Sequence, residues 1–148
     1  LIFKKNMNNN IAELKKKLIL TFGYGNRKNH DKFLEYLKKY QVDFVIDVRM
    51  TPRAWSRKWY GNKLQEVCEA HDVKYISKTA LGNISGQKNW VPPDLEEADI
   101  ALREVAELAE KGTVLLLCAE MNFHRCHRTD VASHLIQLIS NSQIEHLE

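Results

Sequence analysis

The order of its apolar runs constrains this chain more than any other feature. Short, largely apolar runs at Leu18–Phe22, Phe44–Val48 and Thr113–Cys118, with a briefer one at Val73–Ser77, alternate with stretches of different spacing. In those stretches apolar residues recur every three or four positions, as in Phe33, Leu34, Leu37 and Tyr40, or Leu95, Ala98, Leu102, Val105, Ala106 and Ala109. A continuous apolar run between turn formers reads as a strand buried on both faces, and the longer period reads as a one-sided helix. The same spacing places a helix through Leu64, Val67, Cys68 and His71, and a last one from about Thr129 through Val131, Leu135, Leu138 and Ile139. Asn26 or Asn29 is expected to cap the first helix, Asn62 the second, and Gly112 to end the one over Asp94–Lys111.

Strands alternating with helices predict a parallel sheet covered on both sides. The expected fold is therefore a three-layer α/β/α sandwich with a mostly parallel, Rossmann-like sheet of about four strands. Residues 1–17, rich in Asn and Lys, read as a loose arm that ends in one helical turn, and 18–146 as a single domain. Leu147–Glu148 is expected to be a vector-derived scar outside it. Lys78–Pro93 holds Gly82, Gly86, Pro92 and Pro93 and is expected to be irregular; long connections of this kind are often functional.

Composition then excludes several classes. With 148 residues, 44% hydrophobic and 28% charged, the chain can bury a core without staples and is neither disordered nor fibrous. Its longest apolar run, Val114–Ala119, is too short to span a bilayer, and no leader pattern precedes Leu18. Three cysteines are too few for a disulfide framework, which favours a reducing, cytoplasmic setting. The net charge of +3 is unevenly spread. Asp94–Glu110 holds seven acids against Arg103 alone, whereas Arg49–Lys63 holds five bases and no acid. Such asymmetry points to one face that meets an anionic partner.

Right-handed crossovers place the carboxyl ends of parallel strands along one edge, where folds of this class bind ligands. Polar residues gather at those ends: Gly23-Tyr24-Gly25-Asn26 after the first, Asp47-Val48-Arg49 in and after the second, Cys118-Ala119-Glu120 in and after the fourth. Arg125, Cys126, His127 and Arg128 then lead into the last helix.

Four of these pieces, in this order, make the sequence similar to the bacterial and archaeal domain-of-unknown-function family 488. They are Thr21-Phe22-Gly23-Tyr24, Asp47-Val48-Arg49 with Pro52, Leu81-Gly82, and Cys118-Ala119-Glu120 followed by Cys126-His127-Arg128. The resemblance covers about Leu18–Leu138. Tyr24 stands where many relatives carry His, and Asn83 where many carry a second Gly. The resemblance implies the fold and the location of the site; it supplies no reaction.

Each candidate has a plainer role beside its functional one. Arg49, Arg125 and Arg128, with the N-terminus of the last helix, form an expected anion clamp, because guanidinium groups hold phosphate bidentately. The same field would lower the Cys126 thiol and make it a nucleophile, with His127 beside it; otherwise Cys126 packs and His127 caps. The phosphatase Cys-x5-Arg loop is not present, since the sixth residues after Cys118 and Cys126 are His124 and Ala132. Glu120 is the candidate acid/base if partly buried, or else a salt-bridge partner of Arg49 or Arg128. Asp47 is expected to orient Arg49, and Tyr24 and Cys118 complete the rim. A zinc site from Cys118, His124, Cys126 and His127 does not match the usual ligand spacing, so no metal is assigned, and no cofactor is named.

The segment Arg53-Ala54-Trp55-Ser56-Arg57-Lys58-Trp59-Tyr60 interleaves bases with aromatics, and Trp90 beside Lys88 could extend it. Three functions follow. The first is an enzyme-like domain acting on a phosphate-bearing ligand, a nucleotide or nucleic acid, with Glu120, Cys126 and His127 at the reacting centre and Tyr24, Arg53 and Trp55 among the contacts. The second is a non-catalytic nucleic-acid-binding module using residues 49–63. The third is a thiol-based redox or metal sensor built on Cys118 and Cys126.

Overall fold

Each apolar run forms a strand, and the central ones are sealed on both sides. A computed structural model describes residues 16–148, in which β1 (Lys17–Gly23), β2 (Phe44–Asp47), β3 (Lys74–Ser77), β4 (Val114–Cys118) and β5 (Ser142–Leu147) form one sheet. The order is β3-β2-β4-β1-β5, and every neighbouring pair is parallel. The expected arm and helical turn fall almost wholly outside the described residues. Among the described residues, no helix is long and apolar enough to cross a membrane.

Four α-helices cover the sheet: α1 (Asp31–Lys39), α2 (Gly61–Glu69), α3 (Leu95–Lys111) and α4 (Arg128–Leu138). Side-chain alternation divides the core in two. Leu20, Phe22, Val45, Leu115 and Leu117 pack with Phe33 and Leu37 of α1 and Leu64 and Cys68 of α2. Ile19, Ile46, Val114 and Leu116 pack with Leu102, Val105 and Ala109 of α3 and Val131 and Leu135 of α4. The structure is thus a three-layer α/β/α sandwich.

Local chemistry sets the helix boundaries. The Asp94 carboxylate accepts the Glu97 N–H and starts α3, with Glu96 and Glu97 in its first turn and Lys111 in its last, favourable to the helix dipole. Asn29 accepts the N–H of Asp31 at the head of α1, whereas Asn26 takes no part there. Asn62 does not cap α2, because the helix already starts at Gly61.

Two expectations are corrected. Leu147 does not lie outside the domain: it is buried, lies opposite Phe22 in the β1–β5 register, and closes a fifth strand. Trp90 does not extend a binding surface, because its Nε1–H donates to the Gly82 carbonyl and its backbone N–H to Asp130, which pins the irregular 78–93 connection to the core.

Candidate functional site

From β2 the chain departs through α2 toward β3 on one face, and from β4 it departs through α4 toward β5 on the other. Diverging connections open a crevice between the carboxyl ends of β2 and β4, the usual ligand position in open parallel sheets. The rim residues gather at these strand ends but divide by side-chain parity. Cys118 and Cys126 belong to the core beneath α3 and α4, and Tyr24 to the core beneath α1 and α2.

On the first side, His127 stands between two sulfurs. Its Nδ1 lies 3.9 Å from Cys118 Sγ and 4.0 Å from Cys126 Sγ, and its Nε2 lies 2.9 Å from the Val48 carbonyl oxygen. A carbonyl only accepts, so Nε2 carries a proton and Nδ1 faces the thiols. All three side chains are buried, with 7%, 5% and 7% exposure for Cys118, Cys126 and His127. The Cys118 S–H donates to Cys126, and with His127 and the backbone N–H and charge of Arg128 this outweighs burial and lowers the Cys126 thiol to about 4. Cys118 moves the opposite way, held protonated by its hydrogen bond to Cys126 and by burial. Burial alone would lower His127, yet its bonds to Cys126 and Val48 prevail and raise it. The pair is thus polarised, Cys126 toward the thiolate and Cys118 toward the thiol.

Opposite, Asp47 and Arg49 form a closed ion pair. Arg49 Nε and NH2 donate to the two Asp47 oxygens at 2.8 and 2.6 Å, and NH1 reaches the Tyr24 hydroxyl at 3.1 Å. Tyr75 donates its hydroxyl to the same carboxylate. Burial would depress Arg49, but the Asp47 carboxylate holds it firmly protonated, while burial pushes Tyr24 and Tyr75 up. Arg49, expected in an anion clamp, is instead buried, and a charge this far inside must keep its partner.

Arg128 is also committed internally. It is fully buried, and its NH1 and NH2 donate to the carbonyls of Glu120 and Met121, which fastens the loop after β4. Of the three expected clamp residues only Arg125 is exposed. Glu120 is exposed as well; its carboxylate accepts the Asn122 N–H and pairs with neither Arg49 nor Arg128. The partial burial expected of it is not found.

The aromatic loop separates into two roles. Trp59 is 1% exposed, stacks on Tyr24 with ring centres 4.8 Å apart, and donates Nε1–H to the Arg27 carbonyl, so it belongs to the core. Trp55 is fully exposed, and Arg53 is exposed beside it.

Spacing argued against a metal on Cys118, His124, Cys126 and His127, yet three of these converge: the donor atoms of Cys118, Cys126 and His127 lie within 4.8 Å of one another. His124 is not among them and rests against Phe123. A tetrahedral ion with ordinary zinc bond lengths would draw nitrogen and sulfur to roughly 3.5 Å. At 3.9 and 4.0 Å the observed separations are sulfur hydrogen-bond distances, within about half an ångström of that value.

Sequence reasoning missed the Val48 carbonyl, which fixes His127, and Tyr75, which completes the Asp47 pair. A backbone acceptor leaves no trace in a sequence. Tyr75 had one available signal, since it sits in the strand beside β2, two positions from its end.

A family model described as "Domain of unknown function DUF488" matches residues 29–135, a span that contains the Asp47–Arg49 pair and all three members of the thiol–imidazole set. No curated protein and no solved structure matches the chain.

Proposed function

The chain belongs to the DUF488 family, and from that premise we propose that it is a thiol-dependent enzyme acting on a phosphate-bearing ligand at the carboxyl ends of its strands. One observation carries this reading: His127 Nδ1 faces two sulfurs while Nε2 is tied to a backbone carbonyl. That is the arrangement of an activated nucleophile, a thiolate with a proton partner oriented by a third group. The Cys126 sulfur attacks an electrophilic atom of the ligand, and the bond to the leaving group breaks with its electron pair. His127 supplies the proton to that group, and water later displaces the sulfur. Proton transfer falls to His127 rather than Glu120, whose carboxylate is engaged by Asn122.

The phosphate preference rests on the acid-free stretch from Arg49 to Lys63 and on the exposed Arg125. A cytoplasmic, reducing setting would keep both thiols available. The test is protection: Cys126 is alkylated with iodoacetamide, read by mass spectrometry, with and without nucleotides, oligonucleotides and sugar phosphates. Shielding by one class identifies the ligand. Unimpeded alkylation in the presence of all of them removes the ligand from the proposal.

A second reading draws on the Cys118–Cys126 contact, which makes the pair a dithiol couple. A hydroperoxide would oxidise both sulfurs to a disulfide and leave as alcohol and water. Three titratable thiols in the denatured protein would then fall to one.

A further inference from the structure

Trp55 is fully exposed, although a tryptophan side chain offers a large apolar area that water disfavours. It overhangs a groove of about 410 Å³ between the loop after β1 and the loop after β2. Tyr24 and Trp59, stacked nearly parallel at 8°, also line it. Arg27, Lys28 and Lys58 bring three cations to the walls, and no acidic residue lines it. Gly25, at φ 53°, turns the first loop where a side chain would strike Met121.

The two walls are tied together. Lys58 donates its ammonium to the Lys28 carbonyl, His30 Nε2 lies 2.7 Å from the Lys58 carbonyl oxygen, and Trp59 holds the Arg27 carbonyl. The groove is therefore pre-formed. Arg27 Nε is buried without a hydrogen-bond partner, although its guanidinium lies over the Phe22 ring. At its inner end, the Tyr24 N–H donates to the Cys118 carbonyl, so the groove adjoins the strand end that carries the thiol set.

An exposed indole face, a rigid aromatic wall, unopposed cations and this volume favour a flat aromatic ring that carries negative charge. We infer that the groove binds a nucleobase bearing phosphate, with the base on Trp55 and the phosphate among Arg27, Lys28 and Lys58. This rests on the thiol-enzyme reading in making the ligand its substrate, and it names the part of that substrate recognised away from the reacting sulfur.

Tryptophan emission tests it, with AMP, adenosine, inorganic phosphate and a short oligoadenylate as probes. AMP is expected to quench emission in the intact chain, adenosine to bind more weakly, and phosphate alone to leave emission unchanged. Trp55→Ala, a change at a fully exposed side chain, should weaken AMP binding by about fivefold or more. Lys28→Gln should reduce its salt dependence. If AMP and the oligomer bind alike, the natural source is a free nucleotide; if the oligomer binds far more tightly, it is a single strand, and the inference stands in both cases. It is overturned if AMP fails to quench, if Trp55→Ala titrates like the intact chain, or if adenosine equals AMP. Repeating the titration on Cys126→Ser separates the two proposals, since binding there tests the groove alone and alkylation tests the thiol alone.

Discussion

The imidazole of His127 is anchored to the carbonyl of Val48 at 2.9 Å, a bond that crosses from the start of α4 to the end of β2. It fixes both the ring and its tautomer. With Nε2–H committed, Nδ1 can only serve the sulfurs, much as a backbone carbonyl orients a metal-bound or catalytic histidine elsewhere. Replacing His127 with Ala is expected to leave a buried acceptor unsatisfied, at a stability cost of about 1–3 kcal/mol. The same change should move the alkylation profile of Cys126 to higher pH. A variant that loses stability but keeps the original profile would show that His127 is a strut only.

The pH dependence follows from the lowered Cys126 thiol. Alkylation by iodoacetamide should be level through neutral pH and decline toward half as pH approaches about 4. Cys68, which burial pushes up to about 12, is the internal control and should stay unlabelled in the native protein. A Cys126 rate that rises tenfold per pH unit through neutrality would refute the thiolate.

Stability gives an independent reading of the same charge. A group with a depressed folded value contributes stability that is complete above its unfolded value and lost as pH falls through the folded one. From about pH 5.5 down to 4, His127 is largely protonated folded and unfolded alike, as is Cys118, so Cys126 alone of the three changes the balance. The intact protein should therefore lose more stability than Cys126→Ser over that interval in urea titrations. Parallel losses would mean that the sulfur is neutral when folded.

The Asp47–Arg49 pair makes a prediction of sign as well as size. Asp47→Ala strands a buried guanidinium and should cost about 3–5 kcal/mol, read from the urea midpoint. Replacing both, as Asp47→Leu with Arg49→Met, should recover most of that loss if the pair is structural. A double variant that stays as unstable as the single one would contradict this.

Gly23 has no room for a methyl group. A Cβ there would lie 1.8 Å from the Glu120 carbonyl oxygen and 2.8 Å from Arg128 NH1. Gly23→Ala should thus destabilise the chain by about 1–3 kcal/mol and, by shifting the loop after β4, alter Cys126 reactivity too. Thermal melting together with the alkylation rate checks both.

The core of the sheet was legible because β1, β2 and β4 are buried on both faces, which makes their apolar runs continuous. β5 was not. Ser142-Gln143-Ile144-Glu145-His146-Leu147 is an edge strand, packed through few residues, and its polar positions resemble a tail. The site was half legible for a related reason. Its residues were found at the strand ends, but treated as one constellation. The two-residue period that sets Cys118 with Val114 and Leu116 also sends it away from Tyr24 and toward the opposite core. The internal partners of Arg128 are loop carbonyls, and a sequence carries no sign of these.

The sheet order has a consequence for how the molecule comes into being. β1 precedes the other described strands, yet both of its neighbours, β4 and β5, follow β2 and β3 in the chain. During vectorial synthesis β1 waits without either of these partners while β2 and β3 have already emerged and can pair. Ordering it demands closure of the loop over residues 24–113, a slow step that leaves apolar Ile19, Leu20 and Phe22 open to other chains. The sulfur–imidazole cluster forms on the same schedule, because Cys118, Cys126 and His127 all lie in the stretch that closes the sheet. Nascent protein thus exposes the apolar side chains of β1 before Cys118, Cys126 and His127 are in place.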